Sequence, residues 1–512
     1  MEAKAHDGYS VTRPLLHGDY ERQQKIYEEE VEGVTNSIAG TTSFFKTCFN
    51  GLNALSGVGI LSIPYALSSG GWLSLILLLI IASSTFYTGL LIQRCMDVDP
   101  SIRSYPDIGE RAFGTTGRML VSIITNLELY LVATSFLIVE GDNLCTILPD
   151  MGINFAGLRI GGRQCFVIIV GLIILPTVWL NNLSILSYIS ASGVLASVII
   201  LGSVMWAGTF DGIGFQESGT LVNWKGVPTA VSLYTFCYCA HPVFPTLYTS
   251  MRNQRRFPEV LLVCFLFCTI SYTSMAVFGY LMFGSKVESQ VTLNLPTQNI
   301  SSRVAIYTTL VNPISKYALM VTPIVNATEN WLRSYYNKRS LSFVISTTLV
   351  ISTVIVALAL PFFGYLMSLV GSLLSVTASI LFPCLFYLKI SGTYKKLSFD
   401  LVIIWGIVVM GFLIGTIDQN WKSKMFAKNC WKMEQLFRRS GVNGSFPTRG
   451  GHCCTYKSLV TSAVHDSIPS LLFQFAKSNG HTKFGKEIEQ EINQSSVTNP
   501  SFVSIYFSKF EI

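Results

Sequence analysis

A chain of 512 residues in which half are hydrophobic and only 13% charged, with a mean hydropathy of +0.47, carries too little charged surface for a soluble protein of that length. Its net charge of +7 is small for the size and lies in loops and tails, which argues against a nucleic-acid partner. The twelve cysteines show no paired CxxC zinc spacing; Cys48, Cys165, Cys264, Cys268 and Cys384 fall in or beside apolar runs, where a thiol serves as a small hydrophobe.

Residues 1–43 are polar, include the acidic run Glu28, Glu29, Glu30 and Glu32, and lack the apolar stretch of a signal peptide. A disordered cytosolic tail is expected there. Apolar runs long enough for a bilayer core then follow near 44–66, 73–92, 119–139, 165–180, 185–206, 227–248, 260–283, 304–326, 342–363, 366–388 and 399–417. The sequence thus predicts an all-α polytopic membrane protein of eleven transmembrane helices, forming one membrane domain over 44–417. With the amino terminus inside, thirteen Lys and Arg fall in inner loops, among them Arg252, Arg255 and Arg256, against five in outer loops: Arg159, Arg163, Lys225, Lys286 and Arg303. Basic residues are retained on the cytoplasmic side, so the amino terminus is expected in the cytosol.

Two of the runs are interrupted. The first reads "GLNALSGVGILSIPYA", with Gly51, Gly57, Gly59 and Pro64 in a segment that must otherwise satisfy its own backbone. The sixth reads "LYTFCYCAHPVFPTLYTS", broken near its middle by His241, Pro242 and Pro245. Runs one and six open two successive groups of five. Broken helices at matching positions of two halves mark the substrate site of an inverted-repeat transporter. The expected substrate contacts are Ser56, Gly57, Val58, Gly59 and Ile60 in the first break and Phe236, Tyr238, Cys239 and His241 in the second. A half-helix amino terminus there suits a carboxylate, and unwound carbonyls suit an ammonium, so an amino acid fits. The plainer reading is that Gly and Pro merely permit close packing or a kink.

Ionisable groups inside a membrane default to function. Glu128, near the middle of run three, is a candidate carrier of a coupling proton, or else a packing carboxylate. His241, with an ordinary imidazole pKa of about 6.5, can exchange a proton between cytosol and acidic lumen, or else lock the kink. Lys316, deep in run eight, is a candidate fixed charge in place of a sodium ion, or a structural partner of Glu128. Glu140 and Asp142 are expected at the outer interface. Cys237 and Cys239 suggest packing rather than a metal site. No P-loop, GxSxG, HExxH or zinc set is present, so neither catalysis, nor a cofactor, nor a resident metal is expected, and transport must draw on an ion or solute gradient.

The stretches "NALSGVGILSIPYAL", "ELYLVATSFLIVEGDNL", "LYTFCYCAHPVFPTLYTSM" and "VNPISKYALMVTPI" resemble, in order and spacing over residues 41–417, the amino acid/auxin permease family, and within it the plant vacuolar amino acid transporter type 1 branch. The resemblance implies a five-plus-five inverted repeat with eleven helices, proton-coupled transport of neutral or mixed amino acids, and residence in the vacuolar membrane. It also implies substrate contacts at the backbone around Ser56, Gly57 and Gly59 and along Tyr238–His241. Pro242 departs from the small or aliphatic residue expected after the histidine. Residues 418–512 depart further, since such chains generally end soon after the last span; they read as an appended, disordered tail rather than a new domain. The function expected is therefore a secondary carrier of neutral amino acids and protons working in the lipid bilayer by alternating access. The alternative is an amino-acid-sensing transceptor with little flux, which the short, motif-poor amino-terminal tail disfavours. A channel would need a pore ring or filter loop, and the sequence offers neither.

Overall fold

The structure, a computed structural model, describes residue 40 and residues 42–149, 153–155, 158–179, 186–332, 338–360, 363–393 and 399–416. Of the tails expected over 1–43 and 418–512, all but residues 40, 42 and 43 lie outside the described residues.

Helices occupy every one of the eleven apolar runs. The first run is two helices, α1 (Phe44–Leu55) and α2 (Gly59–Gly70), bent by 51° across Ser56–Val58. Then come α3 (Ser74–Val98), α4 (Tyr105–Ile147), α5 (Gly162–Trp179) and α6 (Leu186–Thr209). The sixth run is again split, into α7 (Val227–Cys237), a 3-10 turn at His241–Val243 and α8 (Phe244–Ser250). It is followed by α9 (Phe257–Phe283), α10 (Ile300–Leu332) and α11 (Lys338–Ala359). The tenth run joins α12 (Phe363–Leu369) to α13 (Phe382–Ser391) through π-helical turns at Val370–Ser375 and Thr377–Leu381, and α14 (Phe399–Thr416) closes the bundle. Eight of these helices are each long and apolar enough to cross a bilayer, or nine with α1 and α2 taken as one bent span. The remaining two runs are the split α7–α8 and α10, whose apolar character is diluted by Asn312, Lys316, Asn326 and Glu329. Between α4 and α5 lies a short antiparallel hairpin, β1 (Ile153–Phe155) against β2 (Leu158–Ile160), a small addition to the all-α expectation.

The third run begins earlier than its apolar stretch. Ser104 Oγ accepts from the Asp107 N–H while Asp107 Oδ2 accepts from the Ser104 N–H, 3.4 and 2.9 Å, a capping box that starts a helix at Tyr105 in polar sequence. Phe113 (φ −132°) and Gly114 (φ 69°) then break it. The left-handed turn at Gly114 is one that a side chain would strain. The arm Tyr105–Ala112 thereby folds under the bundle and reaches the tenth span.

Large side chains such as Tyr105, Tyr234, Tyr238, Tyr272, Phe136, Phe244 and Phe386 are buried inside, while Leu79, Leu172, Leu195, Trp206, Leu266, Ile270, Ile355 and Val402 are exposed outside. That inversion fits a protein whose outer surface meets lipid. The tenth span is the axis, buried at every residue from Val370 to Phe386, and α14 packs on it and on α3 through Leu91, Val376, Ile380, Ile404 and Val408.

Candidate functional site

The break in the first span frees carbonyls, and those of Asn53, Leu55 and Ser56 find partners from far along the chain. The α1 ladder stops at Ser56 (φ −77°, ψ 67°), and the Gly57 N–H turns back to Leu55 O at 2.8 Å. Tyr272 Oη of α9 donates to Leu55 O at 2.6 Å. Lys316 Nζ of α10 donates to Ser56 O at 2.8 Å and reaches Asn53 O at 3.5 Å. Ser56 Oγ donates to Ser197 Oγ of α6 at 2.6 Å. The α2 helix that starts at Gly59 has no side-chain cap; the Ile60 and Leu61 N–H groups turn back to Gly57 O and Val58 O at 3.4 and 3.1 Å, and the helix end presents its partly positive pole to the break.

In the sixth span α7 ends at Cys237, and Tyr238, Cys239 and Ala240 make only tight turns onto Thr235, Phe236 and Tyr238. The break therefore lies ahead of His241 rather than at the prolines: Pro242 and Pro245 sit in the first turns of the 3-10 and α8 segments, where their fixed φ suits a helix start. In the same way Pro64 lies within α2, beyond the first break. The two breaks touch. A Cβ on Gly59 would lie 2.7 Å from Cys237 Sγ and 3.4 Å from Phe236 Cε1, whereas one on Gly57 would meet nothing within 4 Å. Tyr272 Oη, besides its bond to Leu55, lies 3.3 Å from Cys237 O, so one hydroxyl sits between the carbonyl ends of both leading half-helices. Tyr238 turns away, its hydroxyl 2.8 Å from Thr269 Oγ1.

The remaining candidates separate into three places. Glu128, buried in α4, accepts from Ser375 Oγ at 2.6 Å. His241 faces α3 instead: Nε2 lies 3.0 Å from Thr85 O and 2.9 Å from Thr88 Oγ1. The Thr88 hydroxyl spends its own proton on Ser379 O at 2.7 Å, which assigns the ring proton to Nε2. Lys316 and Glu128 do not pair among the described residues; each is committed elsewhere, and the expected alternative of a structural pair is set aside. Glu140 is also not at an interface: it is fully buried, with neither carboxylate oxygen bonded among the described residues. Sequence reading missed Tyr272, Ser375, Thr85, Thr88 and Ser197, single polar residues inside apolar runs that leave no pattern.

The two ends of the bundle differ. At one, Thr42 bridges the start of span one and the end of span six: its N–H donates to Ser250 O at 2.9 Å, its O accepts from the Arg252 N–H at 3.1 Å, and its Oγ1 donates to Ser250 O at 2.5 Å. Tyr248 Oη adds a bond to Asp97 Oδ1 at 2.5 Å. At the other end a cavity of about 520 Å³ is lined by Tyr65, Asp142, Arg163, Glu288, Phe363 and Tyr365 among others. Asp142 pairs there with Arg163 Nε at 2.6 Å and accepts from Gln290 Nε2 at 2.9 Å. The Thr42 and Tyr248 bonds tie elements together at one end, and the other end holds a vestibule. Among the described residues no group of three or more His, Cys, Asp and Glu is placed to hold a metal ion.

A family model described as transmembrane amino acid transporter protein matches residues 40–418. Two Arabidopsis thaliana proteins are close in sequence: amino acid transporter AVT1I is 59% identical over 391 residues, 76% of this chain and 96% of that one, and amino acid transporter AVT1J is 60% identical over 393 residues, 76% and 93% of the two chains. Among solved structures, a mutant of the Eremococcus coleocola manganese transporter superposes with a TM-score of 0.53 at 13% identity, covering 86% of this chain and 98% of that one. A likeness at that identity speaks for the fold alone.

Proposed function

Because the chain belongs to the transmembrane amino acid transporter family and is built as a multi-pass helical bundle, we propose that it carries neutral amino acids across the vacuolar membrane, coupled to protons, with its amino terminus in the cytosol. The single observation that carries the reading is the meeting of the two breaks, with Gly59 against Cys237 and Tyr272 between Leu55 O and Cys237 O. A substrate carboxylate would take the uncapped N–H groups at the start of α2, and its ammonium the loosened carbonyls after Cys237. The open space at Gly57 leaves room for a side chain. Lys316 would hold a fixed charge against the carbonyl end of α1, in the role a bound cation would otherwise fill, and Glu128 would take the coupling proton.

Alternating access fits the asymmetry of the bundle, in which breaking the Thr42 tie would open the closed face. The vacuolar site and the neutral substrates rest on the likeness to the plant relatives, and the inside amino terminus on the loop charges.

The test is uptake of a labelled neutral amino acid into proteoliposomes holding the full chain, with and without an imposed pH gradient. Saturable uptake that grows with the gradient is expected, and Glu128→Gln is expected to flatten its pH dependence. Uptake indifferent to the gradient would sink proton coupling, and binding without flux would make the protein a sensor.

A further inference from the structure

Three charged side chains line the vestibule: Asp142, Arg163 and Glu288. Asp142 is engaged at both oxygens. Its Oδ1 pairs with Arg163 Nε at 2.6 Å, and its Oδ2 accepts from Gln290 Nε2 at 2.9 Å, while Gln290 Oε1 accepts from Asn143 Nδ2 at 2.8 Å. These bonds tie α4 to α5 on one side and to the segment around residue 290 on the other, which holds the cavity walls in place.

The other two charges keep capacity to spare. Arg163 Nη2 is buried and has no hydrogen-bond acceptor among the described residues. Glu288 is exposed on its loop and pairs with no cation among them. Its main chain is nevertheless held: the Glu288 N–H donates to Asn294 Oδ1 at 2.8 Å, and Asn294 Nδ2 donates to Lys286 O at 3.0 Å.

A guanidinium N–H without an acceptor favours a carboxylate, and a carboxylate without a cation favours an ammonium. Those are the two ends of an α-amino acid. Tyr65, Phe363 and Tyr365 add aromatic surface for a neutral side chain. The volume of about 520 Å³ falls within the roughly 300–1,000 Å³ of small-molecule sites. With Asp142 and Arg163 cancelling, Glu288 leaves the cavity negative, which disfavours an acidic side chain.

We propose that the vestibule is a second amino acid site, in which Arg163 takes the carboxylate and Glu288 the ammonium of a zwitterion on its way to the breaks. Tyr65 belongs to α2, six residues beyond Gly59 and so about 9 Å along the helix axis, which puts the vestibule next to the first break. The inference rests on the amino acid reading above and adds a place where the substrate is held before it reaches the centre.

The experiment is equilibrium binding of a labelled neutral amino acid to the purified full chain in nanodiscs, for the wild type, Glu288→Gln, Glu288→Lys and Arg163→Gln. The wild type is expected to bind two per chain at saturation. Glu288→Gln is expected to weaken one of the two by about fivefold, the size of an exposed ion pair, Glu288→Lys to weaken it further, and Arg163→Gln to weaken it by at least about tenfold. Unlabelled aspartate should not compete at that site; competition there would mean that Glu288 does not face the ligand. Arg163→Gln also strips Asp142 of its partner, so if it fails to fold, Glu288→Lys, which lies outside that pair, decides alone. One site per chain, or two that no variant moves, overturns the vestibule site and leaves the carrier reading standing. No binding at all sinks both.

Discussion

Lys316 gives its ammonium to Ser56 O at 2.8 Å, across 260 residues of sequence. The bond ties α10 to the carbonyl end of α1, where the half-helix dipole is negative. Replacing the lysine by methionine keeps most of its volume and removes the charge, leaving Ser56 O without its donor. An unsatisfied buried acceptor costs about 1–3 kcal/mol, enough to collapse or re-form the break. Lys316→Met is expected to insert normally and to lose uptake by at least about tenfold. Wild-type uptake in vesicles would show that the break holds its shape without the charge.

Tyr272 serves both halves of the site with one hydroxyl, 2.6 Å from Leu55 O and 3.3 Å from Cys237 O. Phenylalanine there keeps the ring packed against Tyr238, whose centroid is 5.5 Å away, and deletes the shared donor. Tyr272→Phe is therefore expected to weaken substrate affinity by about tenfold, for a cost in the range of one lost buried hydrogen bond, with expression unchanged. The check is the concentration dependence of uptake. An unchanged KM would mean that the carbonyl ends keep their spacing by packing alone.

Two glycines of the same break should behave in opposite ways. A methyl on Gly59 would sit 2.7 Å from Cys237 Sγ, while one on Gly57 enters open space. Gly59→Ala is expected to lower the thermal midpoint of the purified protein, because overpacking costs about 1–3 kcal/mol, and Cys237→Ala on the same chain should recover part of it. Gly57→Ala should leave the midpoint alone and raise KM, more for bulky substrates than for small ones. The reverse pattern of stability would place the free volume elsewhere.

The spans were legible because membrane length and hydropathy act on whole windows of sequence, and the two breaks because Gly and Pro inside such windows conflict with an uninterrupted helix. Where the conflict resolves was less legible. The sixth-span helix stops at Cys237, and Pro242 and Pro245 serve the helices after it, since proline is well suited to a first turn. The polar start of α4 escaped for a related reason: its signal is the Ser104–Asp107 capping box, not hydropathy. Glu140, expected near the interface, is buried with no bonded partner among the described residues, because position along a helix does not reveal which way a residue faces. Bonds such as Tyr272–Leu55 and Ser375–Glu128 join residues more than two hundred positions apart, and no local pattern encodes them.

Thr42 offers a handle on the closed face. Its N–H and Oγ1 both reach Ser250 O, and its carbonyl accepts from Arg252, so the chain entering α1 is stitched to the end of α8 by main-chain bonds. Thr42→Val removes only the hydroxyl bond, whereas Thr42→Pro also removes the N–H. The thiol of Cys48 is buried on α1, with Cys264 Sγ donating to its carbonyl at 3.4 Å, so a swing of α1 from α9 would expose it. Modification of Cys48 by a small thiol reagent, followed by peptide mass, is expected to be slow in the wild type, modestly faster in Thr42→Val and several-fold faster in Thr42→Pro. Equal rates in all three would mean that the closed face is held by the packing of α1 on α9, with the Thr42 bonds forming as a consequence of closure.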